Sequence, residues 1–581
     1  MFTSLKINRI ICIYVVLLVL FGVFNSFKSK YYFTSEVADK IVFEGHDKTS
    51  NLSYFEIEEI LEAEEQISIF IETNQSYIYP SLMYEQEVET HEDVIEYREA
   101  LKEIGREHYF LSNIHAASSI ELNIFGDAHI SQYSPYISAK VDTEILMKNN
   151  YELLKSIASK ASIAKVFVKA DEKENQNFIS TAIDGIEFTN YQNTTGYTGS
   201  GIRIGMLEYG IIDEDNANFD GKTAVARTVW YFPETVTPHA TSVASIMISD
   251  EGIAPDASLY SVEWFNSPDG EIEWLLDQNV DIINISAGTS SANYDSDSAY
   301  FDYITIAYSV LIVAAAGNEG DLGGEMSNVA MGKNVLAVGA SDSEQTGVMM
   351  LSSYLTNNGD HKPNVCAPGD GFDMMNIGET GFGTSFSAPI ISGLAAVAME
   401  IYPYLKIQPM RMIAIMQAAC FYDIDFTKNE WGFYEYAGAG LISFANLLEI
   451  LNYYDNYHTQ IPASSTRGSM YENLFTFTAG KVCKISVIWS AMVSSASSSP
   501  SSVQTNVCYL NVVNETTGAV VFSIGTSSTA YLSNKYIAEF VVPTTGDYRI
   551  VFGRLETNSH ADYLGVAARQ YTLADDGTEA D

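Results

Sequence analysis

IRIGML (Ile202–Leu207), VDIINIS (Val280–Ser286), VLIVAAA (Val310–Ala316) and NVLAVGA (Asn334–Ala340) are apolar along their whole length, not at alternate positions. A strand with one wet face alternates, whereas a strand covered on both faces reads as a continuous apolar run, the pattern of a parallel sheet. Between the runs lie TSVASIMI and IEWLLDQ, which have the character of crossover helices. Residues 178–453 are therefore expected to form a doubly wound α/β domain.

The flanks read differently. Upstream, ISIFIE (Ile67–Glu72) and IAKVFV (Ile163–Val168) read as strands. His91–His108 places Val94, Tyr97, Leu101 and Ile104 on one helical face, and a second helical stretch carries Leu153, Leu154 and Ile157. Residues 31–177 thus read as a small α+β unit ending in a polar connector that contains DEKENQN and suits cleavage. Downstream, LFTFTA, VCKISVIW, NVCYLNVV, AVVFSIG, KYIAEFVV and DYRIVFG are separated by Gly, Ser, Thr and Pro. They predict a β-sandwich over 466–573, followed by an acidic tail at 574–581.

The chain of 581 residues carries 74 Asp+Glu against 31 Lys+Arg, a formal net charge of -43. Such a surface repels phosphates, which argues against nucleic acid as a partner. Residues 1–30 read as an export address. Lys6 and Arg9 precede the apolar run from Ile10 to Phe24, short for a bilayer span, which fits a signal peptide or an N-terminal membrane anchor. Either places the chain outside the cell, secreted or held at the outer face of the membrane. Of the five cysteines, Cys483 and Cys508 fall in candidate strands, where they either pair or serve as small buried apolar residues. No Cys/His spacing suggests a metal site.

Chemistry concentrates at four loop positions in the α/β region. In GFGTSFSAPIISGLAAVAMEIY (Gly381–Tyr402), Ser385 falls where a Gly-Thr turn enters a long apolar helix. Free N–H groups there can stabilise developing negative charge, although a Ser beside a helix start also serves as an ordinary cap. His239, in PHATSVASIMIS, stands at a helix start, where a neutral imidazole can take a serine proton or simply cap the helix. Glu208 ends the strand of GIRIGMLEYG, where a carboxylate can orient that imidazole or merely be solvated. Asn318, in VAAAGNEG, can donate its amide to an oxyanion, or be plain turn chemistry.

Taken together, the order acid, base, oxyanion amide, nucleophile matches that of subtilisin. GTSFSAP, HATSVAS and VAAAGNEG resemble the serine, histidine and oxyanion motifs of the subtilase family, and GIAPDASLYSV, INISAGT and GAGLIS its internal strand, substrate strand and closing turn. The resemblance covers about residues 178–453. It implies a subtilisin-like serine endopeptidase acting through an acyl-enzyme, with catalytic Glu208, His239 and Ser385 and the oxyanion hole at Asn318. It also implies an extended peptide beside Ser286, Ala287 and Gly288, a primary pocket walled by Ala315, Ala316 and Gly317, and no cofactor for the chemistry. Two departures stand out: Glu208 replaces the family's usual Asp, and Ser242 replaces a second histidine.

By the same resemblance, residues 31–177 look like a propeptide that folds with, inhibits and is cut from the peptidase, or else a permanent accessory domain. Structural calcium is frequent in the family, and Asp213, Glu214, Asp215 and Asp220 form either a ligand set for it or a solvated acidic cluster. The competing reading is a catalytically dead scaffold that binds a partner, supported only by Glu208. A lipase or esterase ranks last, because no G-x-S-x-G surrounds Ser385.

Overall fold

In the computed structural model the four apolar runs form neighbouring strands of one nine-stranded sheet. The structure describes residues 40–44, 66–83, 88–120, 128–147, 151–169, 196–227, 235–264, 268–320, 322–357, 360–370, 382–421, 428–429, 432–453, 456–461, 468–493, 503–504, 507–525, 533–555 and 562–572. The apolar run at 10–24, the polar connector and the acidic tail lie outside them. Their contacts divide the chain into two units, 1–75 with 108–172, and 76–107 with 173–581. The sequence reading had grouped 76–107 with the rest of 31–177.

The first unit carries a five-stranded sheet in the order Ile41–Glu44, Ile163–Lys169, Gln66–Thr73, Tyr136–Asp142, Ala128–Ile130. Its core is its own. Ile67, Ile69 and Ile71 pack with Ile137, Val141, Val166 and, from the helices Thr143–Met147 and Glu152–Ala158, Leu146, Leu154 and Ile157. A buried Asn113 joins three segments: its amide donates to the Ser131 and Ser134 carbonyls, and its carbonyl accepts from Thr73. A buried amide so satisfied fixes loop position without an unpaired polar group.

The second unit holds the nine-stranded sheet, ordered Cys420–Phe421, Leu441–Ile442, Val365–Pro368, Leu336–Ser341, Leu311–Ala315, Ile282–Ile285, Arg203–Glu208, Ser258–Glu263, Ala224–Arg227. All neighbours run parallel except the first pair. The strands Leu311–Ala315 and Ile282–Ile285 are buried at every position, as continuous apolar runs demand. Thr384–Ile401 is long and apolar enough to cross a membrane, but 83% of it is buried inside the protein, where it packs on the sheet and on the helix Pro238–Ile248.

Toward the C-terminus stand two four-stranded antiparallel sheets. One runs Asn456–Ile461, Asp562–Tyr571, Val482–Trp489, Lys535–Val541, and the other Gly468–Phe477, Gly546–Arg554, Cys508–Asn514, Val520–Ile524. Asn456–Ile461 and Asp562–Tyr571 add to the six strands expected from sequence. Among the described residues these sheets close no core apart from that of the nine-stranded sheet: Ile485, Val487, Trp489, Leu564 and Val566 belong to one apolar cluster with Met410, Ile413 and Met416 of the helix Pro409–Ala419. Contact is so close that a Cβ on Gly565 would collide with the Met410 carbonyl.

Buried cations finish this junction. Carbonyls in the last turn of a helix have no intrahelical partner. Here Arg569 donates to the Ala418 and Cys420 carbonyls, and Lys484 to those of Cys420 and Ala439. Nearby, Asp360 lies 2.9 Å from the Lys535 ammonium and 3.5 Å from that of Lys333. Burial alone would raise its carboxyl, but the lysine charges win and hold it well below the usual range. The two readings of Cys483 and Cys508 resolve to buried free thiols, as are Cys366 and Cys420.

Candidate active site

Each site residue sits at the end of an element. Glu208 closes the strand Arg203–Glu208 and is buried, 1% exposed. Thr237 caps the helix Pro238–Ile248 by accepting from the Ala240 N–H, and Pro238 occupies the first turn, where no N–H is needed. His239 therefore belongs to that first turn, one residue inside the helix. Its Nδ1 lies 3.2 Å from Glu208 Oε2, so the longer side chain reaches the imidazole. The ring stacks edge-on against Phe386, the residue after Ser385, with centroids 5.5 Å apart.

Ser385 is the second residue of the helix Thr384–Ile401 and half-buried. Its hydroxyl donates to the Ser286 carbonyl at 3.2 Å, while the Ser286 hydroxyl donates to the Ser385 carbonyl at 2.9 Å. Asn284 continues the chain by donating to Ser286 Oγ, and Ser392, two turns along the helix, donates to the Asn284 carbonyl. This polar relay fixes the start of the helix Thr384–Ile401 on the strand Ile282–Ile285. Asn284 and Ser392 were not singled out from sequence; both sit in otherwise apolar elements, which is the signal they gave.

Asn318 follows the strand Leu311–Ala315. Its Oδ1 accepts from Thr384 N–H at 2.9 Å and from Thr384 Oγ at 3.1 Å. Thr384 Oγ in turn accepts from Gly317 N–H at 3.0 Å. With its carbonyl engaged there, Asn318 retains its NH₂ for other acceptors. The approach needs glycine at 383: φ is +136°, and a Cβ would lie 2.9 Å from Asn318 Oδ1.

The expected substrate-binding residues form two facing strand ends. Ser286, Ala287 and Gly288 extend one strand, and Ala315, Ala316 and Gly317 the next one in the sheet. Ser327 and Asn328 connect them: Ser327 N–H donates to the Ala316 carbonyl, and Asn328 N–H to that of Thr289. Among the described residues no group of three or more His, Cys, Asp or Glu is placed to hold a metal ion. Within the acidic cluster, Glu214 accepts from Ala226 N–H and Asp213 from Asp215 N–H.

The chain resembles known peptidases over this region. It is 28% identical over 264 residues to subtilisin DY of Bacillus licheniformis, covering 37% of this chain and 83% of that one. It is 29% identical over 256 residues to the thermostable alkaline protease of Halalkalibacterium halodurans, covering 41% and 68% respectively. It is 28% identical over 250 residues to the membrane-bound transcription factor site-1 protease of Rattus norvegicus, covering 38% of this chain but spanning only 23% of that protein's length. The model of the subtilase family matches residues 106–442, more than half of the molecule, and the chain belongs to that family.

Proposed function

We propose that this chain is a serine endopeptidase that hydrolyses peptide bonds through an acyl-enzyme. Ser385 attacks the scissile carbonyl, His239 takes its proton and returns it to the leaving amine, and Glu208 holds the imidazole and stabilises its charged form. The Asn318 amide and the Ser385 N–H, free at a helix start, donate to the oxyanion. Substrate lies extended beside Ser286–Gly288, with its primary side chain against Ala315–Gly317. The observation that carries the reading is the buried Glu208 carboxylate 3.2 Å from His239 Nδ1, on a ring that packs against the neighbour of Ser385. The Ser385 hydroxyl rests on the Ser286 carbonyl; catalytic hydrogen bonds are often loose before substrate arrives.

The reading extends to a secreted or surface-anchored precursor. A run of basic then apolar residues at the start, an N-terminal unit with its own core, and a polar connector before residue 196 support it. The paired four-stranded sheets at the C-terminus are read as a β-sandwich. Their shared core with the peptidase sheet supports a stabilising role for them.

A fluorophosphonate probe followed by a peptide-hydrolysis assay tests the mechanism. Labelling of the parent and none of Ser385→Ala is expected, with hydrolysis lost by about 10⁶-fold. Glu208→Ala should lose about 10⁴-fold, the loss known for subtilisin's own acid. No labelling of the matured parent would leave a dead scaffold as the better reading, and an unchanged rate in Glu208→Ala would remove that residue from the site.

A further inference from the structure

Residues 76–107 precede the connector in sequence, yet the described contacts place them with the peptidase sheet. Tyr77 and Tyr79 pack edge-on against Tyr303, at 5.2 and 5.5 Å between centroids. The Tyr79 hydroxyl both donates to the Val493 carbonyl, at 3.0 Å, and accepts from the Val493 N–H, at 2.7 Å. Ser81 donates to the Ile306 carbonyl and accepts from the Tyr563 hydroxyl. The segment thus contacts the helix Ser296–Ala307 and two C-terminal strands through groups that are paired at both ends.

Its helical part is anchored more deeply. Val94, Tyr97 and Leu101 are buried, and so are two cations on the same stretch, Arg98 and Lys102. Arg98 reaches Asp281 at 2.7 Å and donates also to the Asn279 and Lys406 carbonyls. Asp281, 1% exposed, is held in addition by the Lys406 ammonium at 3.0 Å and the Arg203 N–H at 2.9 Å. Lys102 donates to the Leu276 carbonyl and Asn279 Oδ1. Withdrawing the segment would leave Asp281 buried with one cation fewer, and truncating a buried pair in this way is strongly unfavourable. Asp281 stands just before the strand Ile282–Ile285, whose far end holds Ser385 through Ser286.

We propose that residues 76–107 are a permanent strap on the peptidase, so that a single cut in the connector yields a two-chain protein and does not shed the N-terminal part. The partner of this surface is the molecule's own N-terminal fragment. The inference does not depend on the triad: it concerns which segments remain together, whether or not bonds are hydrolysed.

The test uses the full chain carrying Ser385→Ala, with the recognition sequence of a site-specific protease placed within 173–180. After cutting, with both fragments seen on a denaturing gel, the sample is passed over a sizing column in 0.15 M and in 1 M salt. Co-elution in both is expected, because buried pairs escape ionic screening. Separation of the N-terminal fragment from a soluble remainder would overturn the proposal. As a second measurement, the cut protein with Tyr79→Phe and Arg98→Met should come apart at a concentration at least tenfold higher than the cut parent. Identical dissociation of the two would show that these anchors do not hold the strap.

Discussion

The five-stranded unit and the C-terminal sheets are both appended to a peptidase sheet, but they bury their apolar residues differently. The first closes a core on itself, with Ile69, Ile137, Leu154 and Val166 meeting only within that unit's cluster. Among the described residues the second closes no core of its own: Trp489, Val566 and Ile485 complete a cluster that begins at Ile204 and Val313 in the middle of the nine-stranded sheet. Separate cores allow separate unfolding, and a shared core makes two architectures one cooperative body. Order along the chain does not reveal which kind an added region is; the location of its buried residues does.

Removing residues 456–581 is the strongest way to break this comparison. The truncated chain should fail to give a soluble, cooperatively folded peptidase domain, because the apolar face of Pro409–Ala419 and the carbonyls held by Lys484 and Arg569 would be left bare. A sharp thermal transition and intact labelling of the truncated chain would refute the shared core. Asp360→Asn comes next. It leaves Lys535, Lys333 and Lys362 buried together without their carboxylate, at an expected cost of about 3–5 kcal/mol in denaturant midpoints.

Leu154→Ala sharpens the other side. It should cost about 3 kcal/mol in the N-terminal unit, visible in hydrogen exchange of Tyr136–Asp142. The amides of Leu311–Ala315 should keep their protection. Equal loss in both would mean one cooperative body throughout. The smallest effect is on pH. His458, half-buried beside Arg411 in the C-terminal sheets, is held down to about 3 by desolvation first and by that charge second. A base whose folded value lies below its unfolded 6.5 contributes stability that is complete above 6.5 and lost as pH falls from there toward 3. Between pH 7.5 and 5 the parent should lose about 2 kcal/mol more than His458→Gln. Peptidase and sheet signals should fall together, since the core is common.

The parallel sheet was legible because its strands are apolar without interruption, and the candidate site could be put forward because Ser385, His239 and Asn318 stand in motifs that resemble those of one family and follow its order. Glu208 was found by its place at a strand end. Periodicity fails where charge is buried. Arg98 and Lys102 lie among the apolar residues of a helix whose expected face was Val94, Tyr97, Leu101 and Ile104, of which Ile104 is only half-buried, and no pattern of hydrophobicity marks a lysine as internal. The strand Asn456–Ile461, reading NYHTQI, was missed for a related reason: it is polar and mostly half-buried, so only its pairing with Asp562–Tyr571 makes it a strand. Thr384 was passed over as a turn residue, although its hydroxyl aligns Asn318.

Arg98, Lys102, Lys333, Lys362, Lys406, Lys484, Lys535, Arg554 and Arg569 are buried, nine among the described residues of a chain with 31 Lys+Arg. Cations used to bind internal carbonyls and carboxylates are not displayed outside. For trypsin-like enzymes that cut after basic residues, these nine positions are closed in the folded molecule. The same arrangement that welds the body together thins out its targets for digestion by such neighbours.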